Sequence, residues 1–282
     1  MAVSRRKLRT ALSFLLRPLL AALLFTFTLR FLFSPPSNSF TKALVIASTS
    51  DLPPSSTSWL KNVPRAWTVY SYITDAPTSP ALSVPVNKGN EAMVYLTYIT
   101  THYDSLPDVI FFHHAHSKGW HQELDSLTEV KRLRAEYVSK VGYASARCLS
   151  ACENIIPLAE FSVDPKELHL VGRDVQIATL LDEFLDRSIG ERVPKKIAAP
   201  CCAQFAASRD AIRRRPKEWW VRLRQWLIDT PLDSQTAGRL VEWTWHIWLG
   251  QPAEYCPDYK ECKCHVFGMG ECKEVWKKEG SM

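Results

Sequence analysis

The first 50 residues contain no acidic side chain, the earliest being Asp51. Residues 1–33 carry Arg5, Arg6, Lys7, Arg9, Arg17 and Arg30, and removing these six from the 35 basic residues leaves 29 against 29 acidic ones. The net charge of +6 therefore belongs to the N-terminus, and the body is neutral. A neutral body excludes the basic footprint of a nucleic-acid binder, so no nucleic-acid partner is expected. The chain also lacks internal repeats and low-complexity tracts, which excludes repeat arrays. It has no G-x-G-x-x-G and no P-loop, and so neither of the common glycine-rich phosphate cradles. There is no C-x2-C pair, which counts against a zinc knuckle.

What is present begins with an apolar segment, TALSFLLRPLLAALLFTFTLRFLF, over residues 10–33. A membrane-spanning helix needs about 20 mostly apolar residues. Only twelve uncharged residues separate Arg17 from Arg30, but both arginines can snorkel toward opposite faces. The preceding basic residues predict a cytoplasmic N-terminus and a single-pass signal anchor, with the body in the Golgi or ER lumen. A cleaved signal peptide would need a small-x-small site, and none stands out. A mitochondrial presequence would fit the missing acids but not the strong hydrophobicity. Eight cysteines suit an oxidising compartment. Four of them, Cys256, Cys262, Cys264 and Cys272, form C-x5-C-x-C-H-x6-C, read as a disulfide-pinned tail whose connectivity spacing does not reveal.

The predicted organisation is a tail and anchor over 1–33, a Pro/Ser linker over 34–41, an α/β domain over 42–255 and a Cys-rich tail over 256–282. Lys42–Ser48 and Trp67–Thr74 read as strands, being continuous apolar or β-branched runs of strand length. Met93, Leu96, Ile99 and Tyr103 recur at helical spacing until Leu106-Pro107 stops them, and Asp108–Phe112 follows as a buried strand. Strand, strand, helix, strand is α/β order, and a mostly parallel sheet flanked by helices is expected. Ser126 with Glu129 reads as a capping box, and Asp174 as the cap of a further helix. Cys201–Ser208 reads as a late core strand. Trp219, Trp220, Leu223, Trp226 and Leu227 mark a buried helix, and the run through Trp243, Trp245 and Trp248 a second.

Four histidines fall within nine residues, at 113, 114, 116 and 121. At a strand end His114 and His116 leave on one face and His113 on the other, with His121 returning across a Lys118-Gly119 turn. H-x-H-x4-H can gather three imidazoles around a divalent ion, manganese or zinc. The bland alternative is a polar cleft lined by hydrogen-bonding histidines without metal. Asp104, Asp108 and Asp125 flank the unit, and each is a candidate orienting group. Asn87, Lys88 and Glu91 bracket the helix start, where a phosphate can bind, although a simple Asn-capped turn explains them as well. Glu242 and His246 stand at i, i+4 and are candidate base and acid, or else a structural pair. Trp120 is a candidate substrate contact, whereas the helical tryptophans read as core.

Two resemblances attach to these residues. NKGNEAMVYLTYITTHYDSLPDVIFFHHAHSKGWH, CCAQFAASRDAIRRRP and EWTWHIWLG resemble blocks of a fungal family known only as domain of unknown function 3431. The match runs through Asn87, Lys88, Gly89, Glu91, Tyr95, Leu106, Pro107, Asp108, Phe112, His114, His116, Trp120 and His121. More loosely, the chain is similar to GT-A glycosyltransferases, with H-x-H standing where that family carries D-x-D. The looser resemblance implies a luminal enzyme moving a sugar from a nucleotide-sugar to a glycan acceptor, with His114 and His116 holding metal and diphosphate. The alternatives are a metal-dependent hydrolase on His114, His116 and His121, and a non-catalytic membrane-anchored binding protein.

Overall fold

A computed structural model describes residues 40–76 and 79–272. The anchor expected over 10–33 lies outside these residues, and among the described ones no helix is long and apolar enough to cross a membrane. Strands β1 (Lys42–Ser48), β2 (Trp67–Ile73) and β3 (Val109–His114) form where the apolar runs predict them. Two shorter strands, β4 (Tyr143–Ser145) and β7 (Phe205–Ser208), complete a five-stranded sheet in the order β2-β1-β3-β7-β4. A separate two-stranded ladder joins β5 (Ile156–Pro157) to β6 (Lys196–Ile197).

β1 pairs parallel with both β2 and β3, while β7 pairs antiparallel with β3 and with β4. The sheet is therefore mixed, which corrects the expectation of a mostly parallel one. Topology supplies the reason. The chain reaches β7 from the sheet edge at which β1, β2 and β3 end, so the next strand has to run away from that edge.

Period-two alternation divides the core into two faces. Ala43, Val45, Ile110, Phe112, Phe205 and Ala207 point to one face. There they meet α1 (Glu91–His102), α4 (Arg173–Phe184), α6 (Lys217–Asp229), α7 (Ser234–Glu242) and the short α8 (Trp245–Trp248). Leu44, Ile46, Val109, Phe111 and Ala206 point to the other. That face is covered by the 3-10 helix Pro54–Asn62, by α2 (Ser126–Arg132) and α3 (Ala135–Val141), and by α9 (Tyr259–Phe267). α5 (Arg209–Arg213) follows β7 directly, and Ser208 caps it by accepting from the Ala211 amide. The tryptophans of α6 are core residues, as their spacing predicts: Trp219, Trp220 and Trp226 are all buried. Full burial of side chains this large contributes about 2–3 kcal/mol each.

The connections from β1 to β2 and from β2 to β3 lie on opposite faces, the first through the 3-10 helix and the second through α1. The chain thus changes direction across the sheet between β1 and β3. In open α/β sheets the crevice outside the carboxyl ends of the strands at such a point is the usual binding place.

All eight cysteines are paired, as Cys148–Cys262, Cys152–Cys256, Cys201–Cys202 and Cys264–Cys272. Four disulfides indicate an oxidising luminal or secreted environment. The tail reads as disulfide-pinned from sequence and is so in the structure, with Cys262, Val266 and Phe267 of α9 buried against the sheet.

Candidate metal centre

β3 carries the site. His113 continues the face of Val109 and Phe111, and His114 the face of Ile110 and Phe112, so adjacent imidazoles leave on opposite sides. The loop after β3 then folds His116 and His121 back against His114. The three rings meet nearly edge to face, with centroids 5.2 Å apart for His114–His116, 5.5 Å for His114–His121 and 5.6 Å for His116–His121. One nitrogen from each lies within 4.8 Å of the other two, a group that can hold a metal ion.

The free nitrogens identify themselves. Nε2 of His114 and Nε2 of His116 are buried and find no hydrogen-bond partner among the described residues. His121 Nε2 is taken by the Gln204 side-chain oxygen, which leaves Nδ1 to face the other two rings. Buried nitrogens without partners are costly unless something binds them. Gly119 keeps the space open, because a Cβ there would lie 2.7 Å from His116 Nε2 and 3.1 Å from His121 Nδ1. The donor set therefore fits a divalent ion.

Burial holds His114 well below the usual imidazole pKa, and the neighbouring histidines depress it further. His116 and His121 are lowered in the same way, burial again leading. Depressed values keep all three rings neutral, the form in which imidazole donates to a metal.

Behind them stands a supporting network. His113 is fully buried, its Nε2 2.7 Å from Glu129 Oε2 and its Nδ1 2.8 Å from the His114 carbonyl oxygen. The Gln122 amide donates to the same Glu129 carboxylate at 3.1 Å, while its oxygen accepts from the Gly119 amide at 2.6 Å. Ser126 donates to the His116 carbonyl at 2.7 Å. Gln204 sits between His113 and His121, contacting both rings. Carboxylates and amides of this kind orient metal-binding histidines. Sequence reasoning missed Gln204 and Gln122, and gave Glu129 to a capping box. Asp125 is the cap instead, accepting from the Thr128 amide.

The cluster separates two clefts. One is the crevice at the strand ends, walled by His114, His116, Ser48, Thr49, Thr74 and the start of α1, with a volume of about 260 Å³. Asn87 and Glu91 lie in this wall. Burial, reinforced by the Glu242 carboxylate, pushes the Glu91 carboxyl up to about 7. The second cleft lies on the far side, where His121, Trp120, Arg147, Gln204 and Lys263 enclose about 260 Å³.

Other candidates lie elsewhere. Lys88 does not face the crevice; its ammonium donates to the carbonyls of Ile228 and Thr230 at 3.1 and 2.5 Å. Glu242 accepts from the Cys202 amide and stands beside Glu91, with its own carboxyl raised by burial. His246 is fully buried away from this group, with Nε2 2.9 Å from the Ala253 carbonyl and its pKa lowered to about 4 by burial. The i, i+4 spacing does not join Glu242 to His246, because α7 ends at Glu242 and α8 begins only at Trp245. Asp104 and Asp108 are engaged at the opposite edge, by Lys217 and by Arg209 with Thr41.

A family model described as "Protein of unknown function (DUF3431)" matches residues 44–265, which contain the whole histidine cluster and both clefts apart from Phe267. No curated protein and no solved structure matches the chain.

Proposed function

The chain belongs to the DUF3431 family, and since that membership carries no activity we propose from the geometry that the protein is a divalent-metal-dependent hydrolase. The observation that carries the reading is the convergence of three imidazoles, two of which, His114 and His116, wall the crevice at the strand ends and keep an unclaimed Nε2. Three neutral nitrogen donors without a carboxylate among them favour zinc over manganese. Bound there, such an ion would lower the pKa of a coordinated water toward neutrality and polarise an incoming carbonyl or phosphoryl oxygen. Glu91 is the base in this scheme. With a carboxyl titrating at about 7, it can take a proton from the attacking water and return it to the leaving group. Gln204 holds the His121 ring, and His113, braced by Glu129, holds the backbone of His114, so that together they would position the ligands of a bound ion. The disulfides fit a reaction carried out in an oxidising compartment, and the segment over 10–33 would tether the body to a Golgi or ER membrane with its N-terminus in the cytoplasm.

One observation favours a second reading, sugar transfer from a nucleotide-sugar to a glycan acceptor on a GT-A-like body. The crevice occupies the place where α/β sheets take nucleotides, between β1 and β3. Lys88, engaged by carbonyl oxygens, does not support it.

Elemental analysis of the full chain is expected to find one zinc per molecule, lost in His116→Ala. Glu91→Gln should keep the metal and lose metal-dependent hydrolysis of an activated ester or phosphate ester by at least a hundredfold. A thermal shift with a nucleoside diphosphate only in the presence of manganese would favour transfer instead. Failure of the supplemented protein to retain any divalent ion would sink both readings.

A further inference from the structure

The second cleft has features that metal binding does not require. Trp120, one residue before the ligand His121, is 86 % exposed, the most exposed large apolar side chain among the described residues. An exposed indole normally carries a cost, yet this one is held in place. The Arg147 guanidinium lies 5.4 Å from its ring centre, and the His121 ring meets it edge-on at 5.5 Å. Arg147 is itself fixed, donating to Glu153 at 2.6 Å and to Cys201 Sγ at 3.1 Å. Its Nε–H is buried and finds no partner among the described residues. A flat apolar plate thus stands at the mouth of a polar cleft, beside an unused donor.

We infer that this cleft is a binding subsite for a single neutral pyranose ring, stacked on Trp120 and hydrogen-bonded along its edge to Arg147. Each part of the ligand's chemistry follows from a wall of the cleft. The C–H face of a pyranose is apolar and matches an indole plane, while its hydroxyls ring the edge and need fork-like donors and carboxylate acceptors. Neutrality follows from charge balance, because Arg147 is paired with Glu153 and Lys263 with Glu123. A volume of about 260 Å³ falls below the range of drug-sized pockets, enough for one ring and too small for a chain. The inference depends on the metal-centre reading for what is done to the ring, and not for its binding.

The test is saturation-transfer NMR on the full chain with a panel of neutral methyl pyranosides, with adenosine and indole as competitors. At least one pyranoside should bind, and Trp120→Ala should weaken it tenfold or more at an unchanged melting temperature. Arg147→Met should weaken the same ligand, whereas His116→Ala, which removes a metal ligand, should leave it within twofold. Absence of metal from the unsubstituted chain with intact sugar binding would fault the hydrolase reading alone. Absence of any pyranoside signal, a signal indifferent to Trp120→Ala, or binding confined to adenosine or indole would each overturn the inference.

Discussion

A metal centre of this kind depends on residues that never touch the ion, and Gly119 is the clearest. A Cβ added there meets His116 Nε2 and His121 Cε1, each at 2.7 Å. Both atoms belong to movable side chains, so Gly119→Ala should fold with a stability change within about 1 kcal/mol. The rings that give way are the ones that must converge, and affinity for zinc should fall ten- to a hundredfold, as when orienting partners are lost. Competition titration against a fluorescent chelator, run beside a melting curve, measures both quantities. Lost stability at unchanged affinity would mean that the glycine serves only the turn. Much at this scale is legible in sequence, because alternation alone sends His113 and His114 to opposite faces and H-x-H-x4-H marks the trio. Gln204 is not legible. It lies 83 residues from His121 and carries no charge, so no spacing rule points to it.

Lys88 shows what changes when whole elements are considered. Beside a helix start and an Asn-Lys-Gly turn, a lysine invites a phosphate reading. In the fold the turn runs past the far end of α6, and the ammonium donates to its terminal carbonyls, Ile228 and Thr230. Cations at a helix C-terminus are favourable there because those carbonyls lack helical partners. Lys88→Met should therefore cost about 1–3 kcal/mol in urea unfolding and leave zinc affinity within twofold. An intact unfolding midpoint with a weakened crevice ligand would return the lysine to the site. The same distinction governs strands and helices generally. The apolar runs of β1, β2 and β3 announce strands, and the helical periods announce α1 and α6. The direction of β7 is invisible in FAAS, since direction depends on which edge the chain returns from. The break at Trp243 and Thr244 is equally hidden, because a continuous apolar pattern spans it.

Across the whole molecule, the two halves of the candidate site are held by different means. The histidines hang from β3, a central strand buried between β1 and β7. The outer wall of the second cleft is built from Cys148 and Leu149 on one side and Lys263 and Phe267 of α9 on the other. Two disulfides clamp that wall, Cys148–Cys262 and Cys152–Cys256, and the second loop is nested within the first. Nesting makes their contributions interdependent. Closing a loop of about 100 residues restricts the unfolded chain by ~4.7 kcal/mol, whereas adding the other bond closes only about ten further residues, worth ~3 kcal/mol. Removing either pair by Cys→Ser substitution should therefore cost ~3 kcal/mol, and removing both ~7 kcal/mol, more than twice the single loss. Chemical denaturation of the three variants measures the difference, and simply additive losses would contradict the nested scheme. Loss of Cys148–Cys262 alone should loosen the wall opposite Trp120 and weaken pyranoside binding, while zinc retention stays intact. If zinc affinity fell with it, the two clefts would be one mechanical unit, and the division of labour between β3 and α9 would not hold.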